Sequence, residues 1–303
     1  MNLLKYMKLS KRIISLFVFM LLLRISPTVK GQVLEGDSLC SFNVQFVRHL
    51  IHKAQYDDAL YVLNDTLFKT GCSLFNDDFN YLKGWSYYYK KDLDSSCLYL
   101  NKVSPLSPLY TKSKFYVLYN NAHLGNYYMA DTIARAITDT SELIQQLTNI
   151  EMAGISLLKR DFIEFDKFAS KFKNDFYYFE LQQQELMNTK INILKTKRKS
   201  KYIAAGLSAI IPGLGKLYGG RPGEGIAAFT MVGGLAAITI ESYLKYGIKD
   251  YKTIAFGSLF SLFYLGNIYG SMVTVQQYKN DVTQSQNLTI LYHMHIPLRT
   301  IFE

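Results

Sequence analysis

The chain has 303 residues, 49% of them hydrophobic and 15% aromatic, with a formal net charge of +10. The excess sits in two short stretches: residues 1–31 contribute +6 with no acidic residue and residues 195–201 contribute +5, leaving the remainder near −1. A broad basic face of the kind that binds DNA or RNA is therefore excluded, and the charge points instead to membrane handling.

The amino terminus carries a basic segment from Lys5 to Arg12, an apolar run of eleven residues from Ile13 to Leu23, and the small residues Val29 and Gly31 before Gln32. Eleven residues are too few to span a bilayer comfortably, and small side chains at these two sites suit a signal peptidase. Residues 1–31 are expected to be a signal peptide, with an uncleaved signal anchor as the alternative. Either way, the mature chain is expected to start outside the cytoplasm. Cys40, Cys72 and Cys97 are odd in number and lack C-x-x-C spacing, which argues against zinc and against a redox dithiol. Export permits one disulfide, with Cys40–Cys72 the favoured pair, although spacing alone does not choose it.

Residues 40–175 contain four related phrases whose anchors, Tyr56, Leu93, Tyr127 and Phe162, are spaced 37, 34 and 35 residues apart. A period near 34 with helical periodicity on both sides of each anchor predicts four helix-turn-helix units. Small residues Ala59, Ser96 and Ala130 fall where two helices must cross closely, whereas Phe165 at the fourth position marks a degenerate or capping unit.

This pattern resembles the tetratricopeptide repeat family over nearly half of the chain. The resemblance implies a solenoid with a concave surface lined by the first helix of each unit, and hence a site for a protein partner. The family's register puts Arg48 and His52 of unit one on that surface, Tyr81, Trp85, Tyr88 and Tyr89 of unit two, and Phe115, Tyr119 and His123 of unit three. Rigid rings suit an extended peptide or an apolar helix, while rings at helical spacing also serve as ordinary packing residues.

Residues 176–201 read as a capping and connecting helix with a basic end. Phe179, Leu186 and Ile193 form a narrow seven-residue stripe, and Lys195, Lys197, Arg198, Lys199 and Lys201 are expected to meet lipid headgroups.

Residues 202–278 read as a membrane domain. Gly225–Leu244 and Thr253–Val275 have the length and composition of a spanning hairpin, and Tyr202–Leu214 that of a re-entrant or interfacial segment broken at Pro212 and Gly213; a third crossing by Tyr202–Tyr218 is the rival arrangement. Gly215 with Gly219, Gly257 with Ser261, and Gly266 with Gly270 place small residues four apart. This spacing lets helices pack closely in lipid and offers a route to homo-oligomers. The run from Ser208 to Gly220 resembles a bacterial family of small two-transmembrane-helix domains with a P-G-x-G-x-x-Y-x-G phrase. That likeness covers about 75 residues. Residues 279–303 form a tail in which Leu288, Ile290, Tyr292, Met294 and Ile296 share one parity, which suits a strand or an interfacial segment.

Catalytic and cofactor signatures fail on spacing. A phosphate loop would need glycine at Ile210 and Ser or Thr at Leu217, and the His49–His52 and His293–His295 pairs have no carboxylate or Cys spaced to complete a metal site. The expectation is an all-α protein without cofactor or metal: an extracytoplasmic tetratricopeptide-like solenoid fixed to the bacterial inner membrane by a helical hairpin. It would act as a noncatalytic adaptor for a protein partner. The rival is a small transport or assembly component whose hairpin is the active part.

Overall fold

The structure, a computed structural model, describes residues 36–139, 141–173 and 177–302; the expected signal segment and Phe176 lie outside the described residues. Helices make up all of their regular secondary structure, with no strand among the described residues. The chain opens with α1 (Gly36–His52) and α2 (Tyr56–Asn64), followed by the short α3 (Thr66–Lys69) and a 3-10 turn at Ser73–Phe75. Three further pairs follow: α4 (Asn76–Tyr89) with α5 (Leu93–Leu100), α6 (Tyr110–His123) with α7 (Tyr127–Arg135), and α8 (Glu142–Leu158) with α9 (Phe162–Ala169).

The four anchors each turn out to be the first residue of the second helix of a pair. Two residues before each anchor the backbone is left-handed, at Ala54 (φ 57°), Lys91 (φ 64°), Gly125 (φ 84°) and Arg160 (φ 61°). The next N–H then reaches back five residues: Gln55 to the Leu50 carbonyl (2.9 Å), Asp92 to Tyr87 (3.1 Å), Asn126 to Asn121 (2.8 Å) and Asp161 to Ser156 (2.8 Å). The same Schellman-type closure thus ends every first helix. In two pairs the carboxylate of the following cap, Asp92 or Asp161, accepts from the backbone N–H three residues on.

Ala59, Ser96 and Ala130 are fully buried at the crossings. A Cβ on Gly84 would sit 2.6 Å from Leu100 Cγ, so a side chain there would drive α4 and α5 apart. Phe165 is also buried, and α10 (Glu180–Lys195) covers this last pair, with Lys190 Nζ 5.6 Å from the Phe165 ring centre and bonded to Asp166 (2.6 Å). The stripe residues Phe179 and Leu186 are buried. The helix stops at Lys195, however, because Thr196 is extended (ψ 116°), so the basic run continues as non-helical chain to Ser200. At the other end Cys40 and Cys72 form a disulfide (Cα–Cα 5.5 Å), and Cys97 is a free thiol whose pKa is pushed up to about 11, chiefly by burial.

Beyond the repeats lie α11 (Lys201–Ile210), α12 (Leu214–Gly219), α13 (Pro222–Tyr246) and α14 (Tyr251–Phe302). Helices α13 and α14 are long and apolar enough to cross a membrane. Only 11% and 22% of their most apolar windows are buried inside the protein, so they lack the protein cover of soluble core helices. α11 has ten residues, about half of what a crossing needs.

The largest departure from the sequence reading is the tail. Residues 279–302 form neither a strand nor a separate interfacial segment. They continue α14 as one helix of 52 residues, about 78 Å long. Ile290, Leu291, Met294 and Leu298 are the buried apolar residues, at helical rather than alternating spacing. The parity that suggested a strand was produced by Leu288 and Tyr292, which are exposed.

Candidate functional site

The carboxyl-terminal half of α14 packs against the first helices α4, α6 and α8, where the repeat register places the expected groove. Tyr119 stacks on the His295 ring (4.9 Å, 20° between planes), Tyr88 bonds to His295 through its hydroxyl, and Phe115 and Tyr116 meet the Phe302 ring at 5.7 and 6.5 Å. Lys112 Nζ donates to the Phe302 carbonyl (2.6 Å), and Arg160 donates to Asn287 Oδ1 (2.9 Å). Gly154 of α8 is bare because Met294 packs onto it: an added Cβ would stand 2.5 Å from the Met294 Cγ.

The nine expected groove residues therefore divide. Tyr88, Phe115 and Tyr119 are covered by α14, and His123 remains exposed at the rim. Arg48, His52, Tyr81, Trp85 and Tyr89 surround an open pocket of about 450 Å³ beside Phe302, at the first-repeat end. Trp85 stacks on Tyr81 and Tyr88 (5.7 and 5.2 Å) and meets Tyr116 edge-on (4.5 Å), so it is a buried packing residue at the base of the pocket. Lys112, which the repeat register did not select, stands 4.8 Å above the Trp85 ring and joins the pocket wall. Arg48 is held by Asp78 (2.8 Å).

Under the groove floor, Glu151 of α8 is fully buried and neither carboxylate oxygen has a hydrogen-bond partner. Burial holds its carboxyl well above the usual range, and burial, followed by the proximity of Glu151, raises the Tyr119 phenol. Because the folded-state pKa is raised, the stabilising contribution of this group is complete below the ordinary carboxylate range and is lost as pH rises toward the folded value. Each pH unit in that window costs about 1.4 kcal/mol. Thermal unfolding of Glu151→Gln should therefore match the parent near pH 4 and exceed it at pH 7. An equal melting temperature at both pH values would contradict the assignment.

The glycine-rich phrase forms a second packed centre. Ser208 Oγ bonds to Ser271 Oγ (2.6 Å), the Gly215 N–H donates to Ser208 Oγ (3.0 Å), and the Gly213 N–H donates to Asn267 Oδ1 (3.2 Å). These bonds tie α11 and the break at Pro212–Gly213 to the middle of α14. A Cβ on Gly213 would overlap the Gly225 carbonyl oxygen, one on Gly215 the Ala204 carbonyl oxygen, and one on Gly219 would lie 2.6 Å from Thr274 Cγ2. Gly213 is in addition left-handed (φ 88°), a conformation only glycine adopts freely. The other small residues do not sit at such crossings: Gly266 faces open space, Gly257 and Gly270 make only ordinary contacts, and Ser261 is exposed and bonded to its own helix at the Gly257 carbonyl. Close approach in this domain is thus made between α11–α12, the start of α13 and α14, rather than along an α13–α14 glycine seam.

No family model, curated protein or solved structure matches the chain.

The basic run also divides. Lys199 turns onto the Tyr278 ring (3.8 Å), Lys201 lies over Tyr202 (5.2 Å), and Lys195 is exposed at the end of α10. Lys197 and Arg198 instead join Arg160 and Lys279 around a cleft of about 440 Å³. Neither Arg160 nor Lys279 carries a sequence signal for such a role, since one belongs to a repeat turn and the other to the tail. Among the described residues there is no group of three or more His, Cys, Asp or Glu side chains placed to hold a metal ion.

Proposed function

We propose that this protein is a noncatalytic scaffold, held in the bacterial inner membrane by the α13–α14 hairpin, whose tetratricopeptide-like repeats present a protein-binding surface outside the cytoplasm. One observation carries the reading: a single helix, α14, runs from the apolar hairpin into the repeat groove and fixes the array to its anchor. The partner surface is the part of the groove that α14 leaves open, where Arg48, His52, Tyr81, Trp85, Tyr89 and Lys112 offer cations beside stacked rings. Such a wall suits an extended peptide segment with acidic and apolar residues.

Three features support this orientation. The Cys40–Cys72 bond belongs to an oxidising compartment. A two-crossing hairpin that begins at α13 and returns along α14 to the repeats would have its connecting loop on the other side. That loop carries Lys245, Lys249 and Lys252, as cytoplasmic loops tend to.

The test is photo-crosslinking in native membranes with a benzoylphenylalanine at position 89, against the same group at position 61, which is exposed on α2. Capture of a discrete protein from position 89 alone supports the adaptor reading. Capture only from groups placed on α13 would instead favour the hairpin as the active part.

A further inference from the structure

We infer that the cleft formed by Arg160, Lys197, Arg198 and Lys279 is a binding site for the phosphate headgroup of an anionic phospholipid, seated where α14 leaves the bilayer. The inference rests on the membrane reading of α13 and α14 and extends it from general surface attraction to one defined site.

The position suits a headgroup. Val275 is the last residue of α14 before the polar pair Gln276–Gln277, and Tyr278 and Lys279, the first charge after the span, follow three and four positions later, about 5 Å along the helix axis. The cleft is lined by Phe162, Ile193, Leu194 and Val282 as well as by the four cations, so its wall is part apolar and part basic. Free phosphate has no use for the apolar part, whereas the glycerol backbone and upper acyl chain of a lipid do.

The charge is uncompensated. No Asp or Glu lines the cleft, and none of the four cations is in an ion pair among the described residues. Arg160 is held by neutral acceptors only: the Leu157 carbonyl (2.8 Å), Gln286 Oε1 (3.3 Å) and Asn287 Oδ1 (2.9 Å). Its neighbour Asp161 is turned away, capping α9. A guanidinium oriented by carbonyl and amide oxygens keeps its whole charge for an incoming anion, and its planar fork matches a phosphate. Asp281 lies near Arg221 (3.8 Å) and takes no part in the lining.

The experiment is native mass spectrometry of the full-length protein in mild detergent with equal amounts of phosphatidylglycerol and phosphatidylcholine. One phosphatidylglycerol should be retained in preference. Lys197→Gln/Arg198→Gln/Lys279→Gln changes three exposed side chains and leaves the Arg160 contacts with α14 intact, so it tests the cleft without loosening the fold. It should lower that occupancy by at least about tenfold, since each cation near an anionic lipid contributes about a fivefold effect. Lys195→Gln/Lys201→Gln removes two charges outside the cleft and should leave it unchanged. Equal losses in both variants, or equal retention of the two lipids by the parent, would overturn the site. Displacement by an equal concentration of glycerophosphate would show a bare anion site and overturn the lipid assignment. Carbonate extraction of cell membranes is the separate control: release of the chain would overturn the membrane reading beneath the proposal, whereas a retained chain without lipid preference would overturn the cleft alone.

Discussion

A chain ending at Thr283 is expected to lose the cooperative unfolding of its repeat array. The missing segment carries Ile290, Leu291, Met294 and Leu298, each at most 6% exposed, and Phe302, which covers Phe115 and Tyr116. Four such aliphatic side chains contribute roughly 6–12 kcal/mol on transfer grounds, an upper bound that is comparable to the entire stability of an ordinary domain. Removal also strips His295 from Tyr88 and Tyr119 and leaves those rings facing water. Circular dichroism of the truncated protein should retain helix but show a broad thermal transition, and limited proteolysis should cut within α6 and α8. A sharp transition at the parent's temperature would mean that the segment behaves as a removable ligand rather than as part of the core. Met294→Ala is the graded version, with an expected loss of about 2–5 kcal/mol.

Gly215→Val is expected to have the second large effect. The added side chain meets the Ala204 carbonyl oxygen, Ser208 Oγ and Ser271 Cβ at once, and it displaces the N–H that donates to Ser208. Overpacking costs about 1–3 kcal/mol in a well-packed core. Here backbone on one side and a hydrogen-bonded serine pair on the other leave no flexible partner to yield, so the loss should reach at least about 3 kcal/mol. Gly266→Ala supplies the contrast, because a Cβ there meets nothing within 4 Å. Size-exclusion profiles and melting curves in detergent should separate the two variants clearly. Similar behaviour would contradict the crossing geometry.

The repeat was legible because its period acts through local chemistry. Tyr56, Leu93, Tyr127 and Phe162 open the second helices, and the polar residue before each anchor fits the turn. The left-handed residue that makes those turns alike was legible only at Gly125. Ala54, Lys91 and Arg160 adopt the same conformation without a glycine to announce it, each at a cost of roughly 1 kcal/mol. The glycine phrase was legible as a break with close packing, and Gly213, Gly215 and Gly219 meet neighbouring backbone or side chains as that reading requires.

The tail was not legible, for two physical reasons. Leu288 and Tyr292 are apolar yet exposed, which masks the helical period of Ile290, Leu291, Met294 and Leu298. Pro297, buried within the last turns, removes one backbone N–H from a helix that nevertheless continues past it, so the local sequence does not announce that helix. The groove residues were placed by family register, which says which surface is concave but not what fills it. Arg48, His52, Tyr81, Trp85 and Tyr89 remain at the open end, while Tyr88, Phe115 and Tyr119 became the bed of α14.

The central claim is that one helix belongs to both the hairpin and the repeat groove of the same chain. Disulfide trapping in native membranes tests it most directly. In a Cys97→Ser background, Gly154→Cys with Met294→Cys places two thiols where Met294 now packs on the bare Gly154 backbone, and the shorter side chain at position 294 makes the room. The account predicts an intramolecular crosslink on mild oxidation, seen as a monomer of altered mobility that reductant restores. Absence of a crosslink, or a crosslink found only in dimers, would contradict it.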